Sequence, residues 1–271
     1  MKDFNGKVAV ITGAGAGIGR ALAIELARNG AQLALSGRNL DSVAETAALC
    51  EKEGAKARAY RLDVTDRAAV YAHAAEVVSD FGKVNIVINN AGVSLTANIE
   101  DVSWEDFEWI FDINFWGTAH GTKAFLPHVI ASGDGHIANV SSMFGLVACP
   151  SQSGYSSSKF AMRAFTDALR QEMIIAGHHV GVSSVHPGMI KTEIAWKARA
   201  SANRDRDALA SNFDRLAKTS PEKCAQTILN GIRKNKPLIL IGQDAQAMNW
   251  MQRLLGSGYM KPLTAQMRKE I

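Results

Sequence analysis

Cysteine is scarce in this 271-residue chain: Cys50, Cys149 and Cys224 are too few and too widely spaced for a disulfide framework or a CxxC metal site. That scarcity suits a reducing compartment, and a cytoplasmic protein is expected. Long hydrophobic runs are lacking as well. No stretch of about 18 apolar residues occurs, and the opening MKDFNGKVAVITG carries no apolar segment of signal-peptide length before its first glycine turn. Neither a transmembrane segment nor export by that route is expected. None of the seven histidines stands in an HxxxH or mixed His/Cys ligand spacing, so no metal is expected. Internal repeats, low-complexity tracts and linkers are missing. The charge excess is slight, +4, and basic residues are interleaved with acids, as in NRDRD at 203–207. With no single-sign stretch to follow a phosphate backbone, nucleic acid is not expected as a partner.

What is present suits one globular core: 47% of residues are hydrophobic and 21% charged, in a chain long enough for one large α/β domain over 1–271. It is expected to fold alone or as a homo-oligomer, a dimer or tetramer. Short β-branched runs at 7–12, 32–36, 56–61, 84–88, 136–140, 180–186 and 238–241 alternate with segments of helical period at 18–29, 39–53, 66–80, 104–131 and 154–177. Several runs are apolar on both sides, as strands covered on two faces must be. The pattern predicts βαβ units and a seven-stranded parallel sheet flanked by helices, and the glycine turn described next points to a Rossmann-type, doubly wound arrangement of it. Two segments break the rhythm: 189–220, read as a substrate-loop insertion, and 243–271, read as a C-terminal extension.

The first strand runs into ITGAGAGIGR, residues 11–20, with Gly13, Gly17 and Gly19 at the turn into the first helix. Glycine lets the backbone approach a pyrophosphate closely, and a helix N-terminus presents unpaired N–H groups and a partial positive charge. A dinucleotide is the ligand this predicts. A (β/α)₈ barrel also alternates strands and helices, but has no need of this cluster in its first turn. Farther on, Tyr155 and Lys159 are four apart in a helical segment and share one face. At an effective dielectric of ~20 a charge 4 Å away contributes at most about 4 kcal/mol, roughly three pK units, toward ionising a tyrosine. The polar run SQSGYSSSK at 151–159 argues against a purely packed role.

Thr12-Gly13-x-x-x-Gly17-x-Gly19, Asn89-Asn90-Ala91-Gly92, Asn114, Ser142, Tyr155-x-x-x-Lys159, and Pro187-Gly188 with Thr192 follow one another in order. Together they resemble the classical short-chain dehydrogenase/reductase (SDR) family, NADP(H)-preferring type, over about residues 5–245. The resemblance implies an NAD(P)(H)-dependent oxidoreductase that transfers hydride between the nicotinamide and a carbonyl or secondary alcohol. Tyr155 would protonate the carbonyl oxygen. Ser142 would hold that oxygen, standing thirteen residues before Tyr155 as the family's serine does, with Ser141 as its competitor. Lys159 would also grip the nicotinamide ribose, and Asn114 would anchor a water relaying protons to it.

For the cofactor, the resemblance implies contacts from Thr12, Gly13, Gly17, Ile18 and Gly19, from Asn90, Ala91 and Gly92, and from Tyr155 and Lys159. Pro187, Gly188, Ile190 and Thr192 would meet the nicotinamide side, and Asp63 and Val64 the adenine. The second strand ends in Gly37 and Arg38 where NAD-dependent relatives place an acid, and a guanidinium suits a 2′-phosphate. NADP(H) is therefore preferred and NAD(H) the second choice. Many NADP-using relatives carry another basic residue where this chain has Ala16.

Ser94, Ser142, Phe144, Tyr155, Met189 and Trp196 are the predicted substrate contacts, with Leu95, Val147, Ile194, Leu209, Phe213 and Leu216 as further apolar candidates. The charges of 189–220 read as a solvated outer face. No arginine stands where it would obviously clamp a carboxylate, which predicts a bulky, uncharged ketone or aldehyde. The alternative is an SDR-fold dinucleotide-binding regulatory protein without turnover.

Overall fold

The computed structural model describes residues 1–268, so the last three positions of the segment 243–271 lie outside the described residues. In chain order the elements are β1 (Val8–Thr12), α1 (Gly17–Arg28), β2 (Gln32–Gly37), α2 (Leu40–Lys52), β3 (Ala57–Arg61), α3 (Arg67–Phe81), β4 (Ile86–Asn89) and β5 (Leu95–Thr96). Then come α4 (Trp104–Phe111), a π turn (Asp112–Trp116), α5 (Gly117–Ala131), β6 (Gly135–Val140), α6 (Ser153–Ile175), β7 (Val180–Pro187), β8 (Arg199–Ala200) and α7 (Arg206–Leu216). The chain closes with α8 (Pro221–Arg233), β9 (Leu238–Ile241), α9 (Gln243–Leu255) and α10 (Met260–Met267).

Seven strands form one parallel sheet in the order β3-β2-β1-β4-β6-β7-β9, each within two residues of its predicted span. Strand alternation decides which helices cover which face. Ala9, Ile11, Ile86 and Ile88 pack with Leu22 and Leu26 of α1 and Ile228 and Ile232 of α8. Val10, Val87 and Ile137, on the opposite face, pack with Phe125 and Val129 of α5 and Leu169 and Met173 of α6. Full burial of such a side chain contributes roughly 1.5–3 kcal/mol, and Leu26→Ala would cost about 2–5 kcal/mol.

The strand order turns around at β1 and β4, whose register pairs Ile11 with Ile88. Their C-terminal ends therefore open the crevice where such sheets hold ligands. Side chains cap α2 (Asn39), α3 (Asp66), α4 (Ser103), α7 (Asp205) and α8 (Ser220), whereas Ala16 at the head of α1 supplies no cap. The first-turn amides of α1 thus face the crevice without a side-chain acceptor.

Two segments carry detail that the sequence reading did not give. The helical stretch 104–131 is helical throughout but widens into a π turn at Asp112–Trp116, where the Asn114 side chain bonds Val93 and Ser158. Close approach of Gly117 to Val64 follows, where a Cβ would come 2.6 Å from the valine methyl. The segment 189–220 is also more regular than its sequence suggested: β8 pairs with β5, and α7 is a capped helix. The described part of the C-terminal extension folds back on the loop between β6 and α6, where Ala148 N–H donates to the Tyr259 hydroxyl at 3.0 Å. Among the described residues, no helix is long and apolar enough to cross a membrane.

Candidate active site

The turn after β1 is built for close backbone approach. Gly13 and Gly17 have φ of +66° and +52°, a region L side chains rarely adopt, and a Cβ on Gly13 would lie 2.9 Å from the Ala91 Cα. Thr12 and Asn90 tie the ends of β1 and β4 together. The Thr12 hydroxyl accepts from Asn90 N–H (3.0 Å) and Ala91 N–H (3.1 Å), and the Asn90 amide donates to the carbonyls of Thr12 (3.1 Å) and Gly13 (3.2 Å). Gly19 stands behind the turn, where a Cβ would strike the Gly13 carbonyl.

A cavity of about 370 Å³ runs from this turn across the sheet edge. Its walls include Gly13, Gly17, Ile18 and Arg38 at one end, and Asn90, Ala91, Gly92, Ser94, Ser142, Phe144, Tyr155 and Lys159 at the other. Pro187, Gly188, Met189, Ile190 and Thr192 close it from β7. Arg38 is exposed and has no carboxylate partner among the described residues. Free turn amides, glycines that admit a backbone-close ligand and an uncompensated guanidinium are a donor set that fits a phosphorylated dinucleotide.

Ser142, Tyr155 and Lys159 meet in this cavity. Tyr155 and Lys159 lie on one face of α6, with the lysine Nζ 5.7 Å from the phenol centroid and donating to the Val140 carbonyl at 3.1 Å. Burial pushes the Tyr155 phenol up from its ordinary value, opposed by its hydrogen bond with Ser142. Burial pushes Lys159 down to about 7. The helical spacing predicted a lowered tyrosine; in the chain by itself desolvation outweighs that attraction, because both groups are removed from water. The competing Ser141 is committed elsewhere, its hydroxyl donating to the Lys159 carbonyl at 2.9 Å.

Asn114 does not line the cavity but stands directly behind it. Its Oδ1 accepts from Val93 N–H (2.9 Å), while Nδ2 donates to the Val93 carbonyl and the Ser158 hydroxyl (both 3.1 Å). A Cβ on Gly92 would lie 3.2 Å from Asn114 Oδ1 and 3.3 Å from Lys159 Nζ, so both side-chain heads gather around that glycine. Asp63 and Val64 lie apart from the cavity walls: the Asp63 carboxylate accepts from Thr65 N–H and hydroxyl, and Val64 is buried against α5.

Trp196 does not reach the cavity. Its indole N–H donates to Asp214 on α7 at 2.7 Å, which turns the ring outward to 42% exposure. Ile194, Phe213 and Trp109 stand at the wall instead, with Met189 and Phe144. Leu95 and Val147 are buried behind it. Leu209 and Leu216 line a second, outer cavity of about 230 Å³, which also contains Arg199, Arg204 and Arg206. None of these three arginines is a wall of the first cavity, where the sequence reading placed no carboxylate clamp; pairing of β8 with β5 sets Arg199 against Leu95 beside the outer one.

Sequence reading passed over His186. Fully buried in β7, its Nδ1–H donates to the Ser142 main-chain carbonyl at 2.6 Å, and its Nε2 accepts from the Ser184 hydroxyl at 2.7 Å. A carbonyl can only accept, which fixes this tautomer. Burial holds the imidazole down to about 3, so it stays neutral. A histidine beside Pro187-Gly188, two residues after a serine in a buried strand, was the available signal.

The family model for the short chain dehydrogenase matches residues 7–203. The chain is 51% identical over 270 residues to the SadH protein of Mycobacterium tuberculosis, covering 99% of this chain and 98% of that protein. It is 32% identical over 263 residues to the mouse protein named estradiol 17-beta-dehydrogenase 11, covering 97% and 84%. Among solved structures, it resembles a short chain dehydrogenase/reductase from Burkholderia phymatum in complex with NAD (TM-score 0.87, 32% identity, 93% and 95% covered). It also resembles an alcohol dehydrogenase from Thermococcus sibiricus complexed with 5-hydroxy-NADP (TM-score 0.74, 27% identity, 87% and 95% covered).

Proposed function

The chain belongs to the short-chain dehydrogenase/reductase family, and from that membership we propose that it interconverts a carbonyl and a secondary alcohol, with NADP(H) preferred over NAD(H). The observation that carries this reading is the convergence of Ser142, Tyr155 and Lys159 on one cavity whose far end is the Gly13–Gly17 turn. When bound, the nicotinamide supplies the hydride in reduction and accepts it in oxidation.

The chain's own groups handle the oxygen and the proton. In reduction the Ser142 hydroxyl donates to the carbonyl oxygen as negative charge builds there, and the Tyr155 hydroxyl gives up its proton to it, leaving a phenolate. Lys159, with its ammonium titrating near neutrality, stabilises that phenolate and restores its proton; Asn114 fixes the backbone beside it. Oxidation runs the same transfers in reverse. Thr12, Gly13, Gly17, Ile18, Gly19 and Asn90 shape the pyrophosphate end, Ala91 and Gly92 the ribose, and Pro187, Gly188, Ile190 and Thr192 the nicotinamide side. Asp63 and Val64 are assigned to the adenine and Arg38 to the 2′-phosphate, for which its lack of an acidic partner argues.

Around the reacting carbon, Trp109, Phe144, Met189 and Phe213 favour a bulky ketone or aldehyde that is uncharged near its carbonyl. A regulatory protein without turnover would have no need of the serine, tyrosine and lysine together. The test is a panel of ketones, aldehydes and secondary alcohols with each cofactor, followed by absorbance of the reduced nicotinamide. Turnover with NADPH is expected; tight nucleotide binding with no turnover across the panel would replace this reading with the regulatory one.

A further inference from the structure

The outer cavity adjoins the reaction cavity, and Ser94, Phe144, Met189 and Phe213 are walls of both. No acidic residue lines it, yet three guanidiniums do. Two of the three are already compensated. Arg199 is paired with Asp106 at 2.7 Å and lies over the Trp109 ring at 4.1 Å, and Arg206 turns to its neighbour Asp207 at 3.3 Å. Arg204 is different. It is half-buried, and its Nη2 donates only to neutral oxygens, Ser151 Oγ at 2.9 Å and Asn98 Oδ1 at 3.2 Å. Among the described residues no carboxylate pairs with it.

Those two acceptors are themselves joined, the Ser151 hydroxyl donating to Asn98 Oδ1 at 2.8 Å, so one corner of the guanidinium is anchored to a braced loop. Among the described residues Nε and Nη1 have no acceptor, and they remain as donors of a planar fork. A half-buried cation without a counter-charge, held still beside apolar walls, is a poor arrangement for stability alone and a good one for an incoming carboxylate.

We propose that Arg204 is a specificity-determining residue that receives a carboxylate at the far end of an elongated, apolar oxo acid whose carbonyl lies at Tyr155. The substrate class is thus uncharged where it reacts and anionic at the opposite end, with its aliphatic body crossing between Phe144, Met189 and Phe213. The inference rests on the carbonyl-reductase reading for its turnover arm only.

The experiment uses the full-length protein and two probes, the ω-oxo derivative of decanoic acid and the methyl ester of that compound, with NADPH. A charge-assisted hydrogen bond is worth about 1.5–3 kcal/mol, or roughly tenfold to a hundredfold. The wild type should show a KM at least tenfold lower for the acid than for the ester. Arg204→Gln should raise the acid's KM by about tenfold and change the ester's less than twofold, and Arg204→Lys should keep part of the preference. In parallel, calorimetry measures binding of decanoate itself, which needs no turnover: Arg204→Gln should weaken it about tenfold. Equal loss for acid and ester, or decanoate binding unchanged in the variant, would overturn the proposal, since a residue that merely pins the loop affects both probes alike. Failure of turnover with decanoate binding still dependent on Arg204 would fault the reductase reading and leave the anion site standing.

Discussion

The His186 imidazole holds the main-chain carbonyl of Ser142 at 2.6 Å from inside the sheet, and so sets the serine from behind, without touching the reaction cavity. Its other nitrogen is fixed by Ser184, and displacement of a catalytic group by even a fraction of an ångström is expensive. His186→Phe should lower kcat by about tenfold or more while NADPH binding stays within about twofold. His186→Asn, which can still donate to the carbonyl, should recover part of the loss. Loss of cofactor affinity in step with kcat would mean a general packing defect instead.

The buried lysine makes a prediction about pH. Lys159 titrates near 7 in the fold against an ordinary 10.5, so between those values the unfolded chain binds the extra proton and the folded one does not. Stability must then rise as pH increases through that window. Thermal melts of nucleotide-free protein should show Tm increasing from pH 7 to pH 9 more steeply in the wild type than in Lys159→Met. Parallel pH profiles for the two proteins would contradict the assignment.

The proposed preference for NADP(H) rests on Arg38. Arg38→Ala should weaken NADPH by about tenfold to a hundredfold, the range for a lost charge-assisted contact, and leave NADH within about twofold. Fluorescence titration with both nucleotides decides it, and equal losses would remove the basis for preferring NADP(H).

Much of this was legible in the sequence because the signals are local. A strand buried on both faces reads as a short apolar run, as Val8–Thr12 does, and the Gly13–Gly19 turn and the Tyr155/Lys159 pair have fixed spacings. What stayed hidden depends on long-range packing. Trp196 read as a pocket residue because it is large and apolar, but Asp214, 18 residues on, claims its N–H. Arg204 read as solvated surface, but its bonds to Asn98 and Ser151, both distant in sequence, set it on the wall of the outer cavity. Likewise the π turn at Asn114 coincides with its bonds to Val93 and Ser158, distant in sequence, which a local helical pattern does not reveal.

The account turns on Tyr155 as the group that moves the proton, and one measurement tests this most directly: steady-state turnover of Tyr155→Phe with the best carbonyl of the panel, alongside equilibrium binding of NADPH. Removing only the hydroxyl should lower kcat by roughly 10²–10⁴-fold, the usual contribution of a positioned acid, with the NADPH Kd within about twofold of wild type. A Tyr155→Phe enzyme that turns over at a near-normal rate would contradict the mechanism.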